Sequence, residues 1–368
     1  MKLLIQPGDG VAPLVKAIHE AKTSVDVLIF RCDRVEIETA LVKAVTRGVA
    51  VRALIAYTNR GGEKNLRALE MRLLGAGVTV ARTDDDLVRY HGKMMIVDSR
   101  ELYLMAFNFT NLDIGRSRSF AVVTDDKAIV QEAIQLFEAD SKRLEFTPGL
   151  DTFVVSPVNA RKLLAEFIKG AKTDLLIYDP AVTDPAMGRI LDERSGAGVK
   201  IRILGRLSRR IQGAEAHLLF MRLHTRTIVR DGEEVFLGSQ SLRTLELDAR
   251  REIGLIFHDP KIAARIIQVF EEDWKESQKV REKPAAAPEE VDHVPPAKKV
   301  AKEVAKTVAN TLPPVAPVLE VVVHELAGSK TEVAVDPEEL EATVKHAVKS
   351  AIQEAVACAV ERASQDAE

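Results

Sequence analysis

The stretch His91-Gly92-Lys93-Met94-Met95-Ile96-Val97-Asp98 returns later in the chain as His224-Thr225-Arg226-Thr227-Ile228-Val229-Arg230-Asp231. Both copies read H-x-(K/R)-x-x-x-x-D, and they lie 133 positions apart. The same offset relates Phe120 to Ile253 and Phe137-Glu138-Ala139-Asp140 to Phe270-Glu271-Glu272-Asp273. Upstream, Gly48-Val49-Ala50-Val51-Arg52 matches Gly198-Val199-Lys200-Ile201-Arg202, and Ala21-Lys22-Thr23 matches Ala171-Lys172-Thr173, at an offset of 150. A repeat kept in register over this length means a duplicated unit, with 17 fewer residues in the second copy between those markers. As a strand, each motif puts its histidine and the cation two residues on upon one face, with the residue between them pointing away. That face then carries a nucleophile beside a phosphate-binding cation. The apolar run Met94–Val97 suits a buried strand, and the Asp that closes each motif suits the turn into a hairpin.

Around the motifs the first copy alternates short β-rich and helical segments. A helix carries Leu14, Val15, Ile18 and Ala21, a strand runs over 24–30, a helix over 35–46 and a strand over 49–56. The polar loop Thr58-Asn59-Arg60-Gly61-Gly62-Glu63-Lys64 precedes a further helix ending near Gly75 or Gly77. The second copy repeats the order: a helix through Ile168, a strand over 175–178, a helix over 187–194 and a strand over 201–204. There the basic patch Arg206, Arg209, Arg210 stands in place of the polar loop, read as a solvated loop with contact to an anionic substrate as the alternative, before a helix leading to Met221. Alternation of this kind builds a mixed sheet flanked by helices.

Paired H-x-K-x-x-x-x-D motifs, each followed by a G-S-x-N-like element, resemble the phospholipase D superfamily over residues 3–275. The resemblance implies an α/β fold of two tandem phospholipase D-like lobes, each a mixed sheet flanked by helices, with one active site at their interface. The expected boundaries are 1–146 for lobe one and 147–278 for lobe two. In lobe two Leu237-Gly238-Ser239-Gln240-Ser241 keeps G-S but has Ser241 where the family has Asn; in lobe one Met105-Ala106-Phe107-Asn108 keeps only Asn108. An acidic residue follows at Glu252, whereas Ser119 stands at the matching place in lobe one.

The chemistry implied is a phosphodiesterase reaction through a phosphohistidine. One imidazole attacks phosphorus and the other protonates the leaving alkoxide. The catalytic set expected is His91, His224, Lys93, Arg226 and Glu252, with Asn108, Ser239 and Ser241 as further phosphate donors. Arg226 replaces the family lysine with a planar fork in place of a point charge. Asp98 and Asp231 are expected to hold the loop after each motif strand. Glu252 can steady either ring across the seam; paired with His224 it favours that ring as the acid, leaving His91, whose motif is complete, as the expected nucleophile. No cofactor is implied, and no H-E-x-x-H, cysteine cluster or carboxylate cage offers a metal site.

Composition bears on the substrate. Residues 1–278 are close to neutral, with 41 Lys+Arg against 39 Asp+Glu, and only 5% of the chain is aromatic. That gives little of the electrostatic footprint or stacking platform of a nucleic-acid binder. A phospholipid is therefore the expected substrate, by hydrolysis or phosphatidyl transfer, with a nuclease acting on DNA or RNA and a non-catalytic anion-binding module as the other readings. Two cysteines, Cys32 and Cys358, allow no disulfide framework, and no apolar run reaches membrane-spanning length. A cytoplasmic location, peripheral at the membrane, fits both facts.

From Lys279 the composition changes: 8 of the 15 prolines and no aromatic residue lie beyond it. The expectation is a Pro/Ala-rich, largely disordered linker over 279–335, with a basic amphipathic stretch at 298–312 read as an exposed spacer and, alternatively, as a membrane-surface contact, then an Ala-rich amphipathic helix over 336–366. Asp336-Pro337-Glu338-Glu339 has the features of a helix start, and the stripe Val344, Val348, Ile352, Val356, Val360 suits self-association.

Overall fold

A computed structural model describes residues 1–58, 63–208 and 210–282. The tail stretches from 283 on, the loop residues 59–62 and Arg209 lie outside the described residues, and with them the expectations for the linker, the basic stretch and the C-terminal helix.

The first half runs β1 (Lys2–Gln6), α1 (Ala12–Glu20), β2 (Ser24–Ile29), α2 (Val35–Thr46), β3 (Ala50–Ile55), α3 (Glu63–Gly75), β4 (Thr79–Arg82), β5 (Arg89–Tyr90), β6 (Met94–Val97), β7 (Glu101–Met105), α4 (Asn111–Arg116), β8 (Ser117–Thr124) and α5 (Lys127–Lys142). The second runs β9 (Phe153–Val155), α6 (Ala160–Lys169), β10 (Asp174–Val182), α7 (Pro185–Gly196), β11 (Lys200–Leu207), β12 (Ala214–His217), β13 (Arg222–Leu223), β14 (Arg226–Arg230), β15 (Glu234–Gly238), α8 (Thr244–Asp248), β16 (Arg250–Arg251), β17 (Ile253–His258) and α9 (Pro260–Glu282). Helix starts follow local chemistry: the Asp126 and Asp184 carboxylates accept the free N–H groups at the heads of α5 and α7, and Pro185 opens α7 where no N–H is needed. One expected element is different. Between the basic patch and Met221 the chain forms the short strand β12, paired in parallel with β11, and no helix. Gly213, at φ +79°, breaks that segment in a conformation that favours glycine.

Strand order is β1-β8-β7-β6-β2-β3-β4 in one sheet and β12-β11-β10-β14-β15-β17-β9 in the other, both mixed. This is the α/β architecture of two like lobes that the duplication requires. Each motif strand forms a hairpin through a left-handed turn, with Asp98 and Ser99 at φ +55° and +52°, and Asp231 and Gly232 at φ +53° and +77°. Asp98 also accepts the backbone N–H groups of Lys22, Thr23 and Ser24, and Asp231 those of Lys172, Thr173 and Asp174. These hydrogen bonds hold both carboxyls below the usual carboxylate range against the opposing effect of burial. The motif Asp thus ties its hairpin to the start of β2 or β10.

A central core joins the inner faces of the two sheets with α5 and α9, through Met94, Ile96, Phe120, Leu176, Tyr178, Val229 and Phe270 among others. Separate outer cores bury α1, α2 and α3 on the first sheet and α6, α7 and α8 on the second. Two short strand pairs cross between lobes, β5 with β16 and β13 with the start of β8. They bring the segments that precede the two motifs against the opposite lobe.

Candidate active site

Both motif histidines lie just outside regular strand, since β6 begins at Met94 and β14 at Arg226. The expected strand alternation therefore does not place them; the crossing pairs do. His91 and Gly92 both donate backbone N–H to the Arg251 carbonyl (2.7 and 3.0 Å), and His224 and Thr225 donate to the Arg118 carbonyl (3.0 and 3.1 Å). The motif cation then folds back: Lys93 Nζ donates to the His91 carbonyl and Arg226 Nη1 to the His224 carbonyl. At Gly92 a Cβ would lie 2.4 Å from the Ile253 side chain, so lobe one needs glycine there.

Arg118 and Arg251 occupy equivalent places, and each guanidinium is anchored in the opposite lobe. Arg118 forms two hydrogen bonds to Asp273 (2.7 and 2.9 Å), which also accepts from the Tyr178 hydroxyl (2.6 Å). Arg251 lies 3.2 Å from Asp140. The crossing arginines thus hold the histidine backbones with their carbonyls and the opposite lobe with their guanidiniums. The 133-residue offset of Arg118 from Arg251 and of Asp140 from Asp273 marks these positions in the sequence as repeat members, although nothing in their spacing states the role.

The two rings are held differently. His91 Nδ1 lies 2.9 and 3.0 Å from the Glu252 carboxylate oxygens, and Glu252 is fully buried. This corrects the expected partner: Glu252 reaches across the seam to His91 and does not steady His224, because the crossing strands put His91 beside the start of β17. His224 Nδ1 donates to the Ala106 carbonyl (2.8 Å). A backbone carbonyl serves there with any residue at the position, which accommodates Met105-Ala106 in place of G-S. The Ser119 hydroxyl, at the place equivalent to Glu252, is buried with no hydrogen-bond partner among the described residues.

His91, His224 and Asn108 line one cavity of about 480 Å³ together with Phe30, Leu112, Leu223, Asp113 and Glu246. Six arginines line it as well: Arg31, Arg89, Arg222, Arg226, Arg243 and Arg250. The basic patch of lobe two is elsewhere; Arg206 and Arg210 are absent from this wall, and Arg210 borders a separate cavity with Leu207 and Ile211. Ser239 and Ser241 are drawn away too. The Ser239 hydroxyl accepts the Ile253 N–H (3.1 Å) and that of Ser241 donates to Asp179 (2.6 Å). Asn108 remains, with its Nδ2 given to Asp113 and its Oδ1 unpartnered among the described residues.

Phe30 was not marked by any motif, yet the cationic wall is built on it. Arg31, Arg89 and Lys93 each lie over its ring at 5.3 to 5.6 Å, and His91 meets it edge-on at 4.5 Å. A matched pair of acids was equally unmarked. Asp113 accepts the Asn108 N–H (2.9 Å) and Glu246, at the equivalent place, accepts the Ser241 N–H (2.8 Å).

Burial, then the Lys93 and Arg226 charges, holds His91 well below its ordinary value, so the ring is neutral near pH 7. Burial pushes Lys93 down to about 7 and Glu252 up. With Nδ1–H given to Glu252, the lone pair of His91 sits on Nε2, which is the arrangement of a nucleophilic imidazole. Among the described residues no group of three or more His, Cys, Asp or Glu side chains is placed to hold a metal ion, and no helix is long and apolar enough to cross a membrane.

Comparisons with known proteins bear on this geometry. Residues 14–141 match the family described as cardiolipin synthase, PLD-like domain. The chain is similar to a polyphosphate kinase of Lactiplantibacillus plantarum, 26% identical over 313 residues, covering 76% of this chain and 43% of that protein. A mitochondrial cardiolipin hydrolase of Danio rerio is 27% identical over 130 residues, 34% of this chain and 56% of that one. The crystal structure of polyphosphate kinase from Porphyromonas gingivalis shares the fold with a TM-score of 0.63 at 19% identity, over 74% of this chain and 50% of that chain. The chain spans less than half the length of the polyphosphate kinases it matches. A duplicated H-x-(K/R) motif whose two histidines meet in one cationic cavity thus stands on a chain whose residues 14–141 match a PLD-like domain and whose fold is similar to that of a polyphosphate kinase.

Proposed function

We propose that the protein is a phosphotransferase that works through a phosphohistidine on His91, with His224 as the acid and base. The carrying observation is that both histidines line a single arginine-walled cavity while only His91 has its Nδ1–H held by a carboxylate. In the first half-reaction Nε2 of His91 forms a bond to phosphorus, the P–O bond of the leaving group breaks, and the leaving oxygen takes a proton from His224. In the second, water or an alcohol gives its proton to His224 and attacks phosphorus, and the N–P bond breaks. Lys93 and the guanidinium of Arg226 neutralise charge on the non-bridging oxygens.

For the substrate, a phospholipid is favoured by the match to a cardiolipin synthase domain and by Leu112, which lines the cavity while 47% exposed, as an apolar rim for a lipid would be. A linear polyphosphate is the second reading, favoured by the six guanidiniums and by similarity to polyphosphate kinases over three quarters of the chain. The test incubates the protein, in EDTA, with labelled phospholipid vesicles, linear polyphosphate and DNA, and maps covalent phosphate by mass spectrometry. Label on His91 from the lipid is expected. Label on His224 reverses the assignment of roles, turnover of polyphosphate alone selects the second reading, and turnover of DNA alone overturns both.

A further inference from the structure

His224 has no carboxylate at Nδ1, and the Ser119 beside its lobe supplies none. Its other nitrogen, the reactive one, faces Asp113: Nε2 lies 3.5 Å from Oδ2. Asp113 is itself fixed on every side. Its Oδ2 accepts the Asn108 N–H and Nδ2 (2.9 and 2.7 Å), its Oδ1 accepts from Arg222 (2.6 Å), and Thr110 caps the turn that carries it. Only 3% of the residue is exposed. Since a carbonyl can only accept, Nδ1 of His224 must carry hydrogen, which leaves a neutral ring pointing its lone pair at a carboxylate. A proton on Nε2 turns that repulsion into attraction, and 3.5 Å is too long for Asp113 to capture the proton in a short hydrogen bond.

The charges facing His224 are Asp113 from α4, Lys93 from the motif segment of lobe one, Arg222 from β13 and Arg226 from β14. Burial and then Arg226 outweigh Asp113 and hold the ring neutral. A phosphate group bound in the cavity would offset part of the cationic charge that opposes protonation of His224, while Asp113 stays 3.5 Å from Nε2. Against burial, the Asn108 hydrogen bonds and Arg222 hold the Asp113 carboxyl below the usual carboxylate range, so it is ionised near neutral pH.

We propose that Asp113 holds the transferable proton on Nε2 of His224 once an anionic phosphate fills the cavity, and so makes His224 the ring that protonates the leaving group. Asp113 is a positioning residue, acting through His224. Its lobe-two equivalent Glu246 differs: its charge also favours a protonated His91, but it is paired with Arg226, Arg243 and Arg250, and among the described residues no ring nitrogen is paired with it within 4 Å. The inference rests on the phosphohistidine reading, and deepens it by assigning the source of the acid.

The test compares a substrate whose leaving group needs a proton, a phosphatidyl ester of an aliphatic alcohol, with bis(p-nitrophenyl) phosphate, whose leaving group does not. Asp113→Asn is expected to slow the first about 100-fold and the second by less than about threefold, and to flatten the basic limb of the pH profile. Asp113→Glu should restore part of the difference, and Glu246→Gln should slow both substrates alike. Equal losses on both substrates in Asp113→Asn, with a cooperative melt retained, overturn the proposal. A second measurement needs no turnover: in protein labelled with ¹⁵N-histidine and saturated with inorganic phosphate near pH 7, His224 is expected to be protonated on both nitrogens in the wild type and on one in Asp113→Asn. The same state in both proteins overturns the proposal. Loss of bis(p-nitrophenyl) phosphate turnover in His91→Ala reports separately on the phosphohistidine step, so either idea can fail alone.

Discussion

Lys93 gives the sharpest quantitative test of the site. It is 2% exposed, and burial lowers its ammonium from 10.5 to about 7. Between those values the folded protein binds fewer protons at this residue than the unfolded chain, so its contribution to stability rises with pH across that window. With pKa values of about 7 folded and 10.5 unfolded, linkage gives the wild type roughly 2 kcal/mol between pH 7 and pH 9 from this residue alone. Lys93→Met keeps the buried stem and removes the charge. The variant is expected to lose turnover and to be the more stable protein at pH 7, with an advantage that shrinks by about 2 kcal/mol by pH 9. Groups beyond the reach of the Lys93 charge titrate alike in both proteins and cancel in the difference, with His91 and Glu252 among the neighbours that shift with it. The measurement is urea unfolding of each at both pH values in phosphate-free buffer. A stability difference that is the same at both values would show that Lys93 titrates as an ordinary lysine, and the reasoning from burial would fail.

Four further outcomes are expected. His91→Ala and His224→Ala should each lower turnover by at least about 1,000-fold while leaving the urea midpoint within a small shift, and full activity in either would exclude a shared site. Turnover should be unchanged by EDTA, because the steps assigned to imidazoles and guanidiniums call on no metal; a rate lost to chelator and restored by a divalent cation would disprove that scheme. Asp273→Asn, by removing the charge partner of half-buried Arg118, should cost about 1 to 3 kcal/mol by urea unfolding, and a cost near zero would mean that this pair does not help hold the lobes. Asp140, raised to about 6 by burial, makes the folded state bind more protons than the unfolded chain from about pH 4 to 6, so its contribution is lost as pH rises. Relative to Asp140→Asn, the wild type should weaken by roughly 2 kcal/mol from pH 4 to 7, and a flat difference would count against the shift.

The duplication was legible because its markers are local and repeat in register. The 133-residue offset predicts two like lobes, and the structure has two mixed sheets of β-α alternation with equivalent hairpins. The helix α2 runs over the expected 35–46 because its apolar residues Ile37, Ala40, Leu41 and Ala44 recur at helical spacing. Where periodicity was weak the reading failed, as between the basic patch and Met221, where a short edge strand forms. Phe30 could not be seen as the floor of the cationic wall, since an apolar residue ending a strand reads as core whatever stacks on it.

What the sequence alone determined is the repeat, the α/β class and the residue types that a phosphate-transfer site draws on, all properties carried within a few neighbouring residues. Only the tertiary structure decided which group faces which. Glu252 follows His224 by 28 positions and yet serves His91, because a carboxylate is shared by approach in space, and strands that cross between lobes bring distant segments closer than the chain brings near ones. The same crossing turned Arg118 and Arg251 into supports for the opposite motif and gave Asp113 to a histidine of the other lobe, while Ile253 and Asp179 of their own lobe engage Ser239 and Ser241. Burial then set the charges: a lysine ordinarily protonated at neutral pH is poised near 7 here because the folded lobes remove its water, and no stretch of sequence records how much water a neighbour far along the chain will displace.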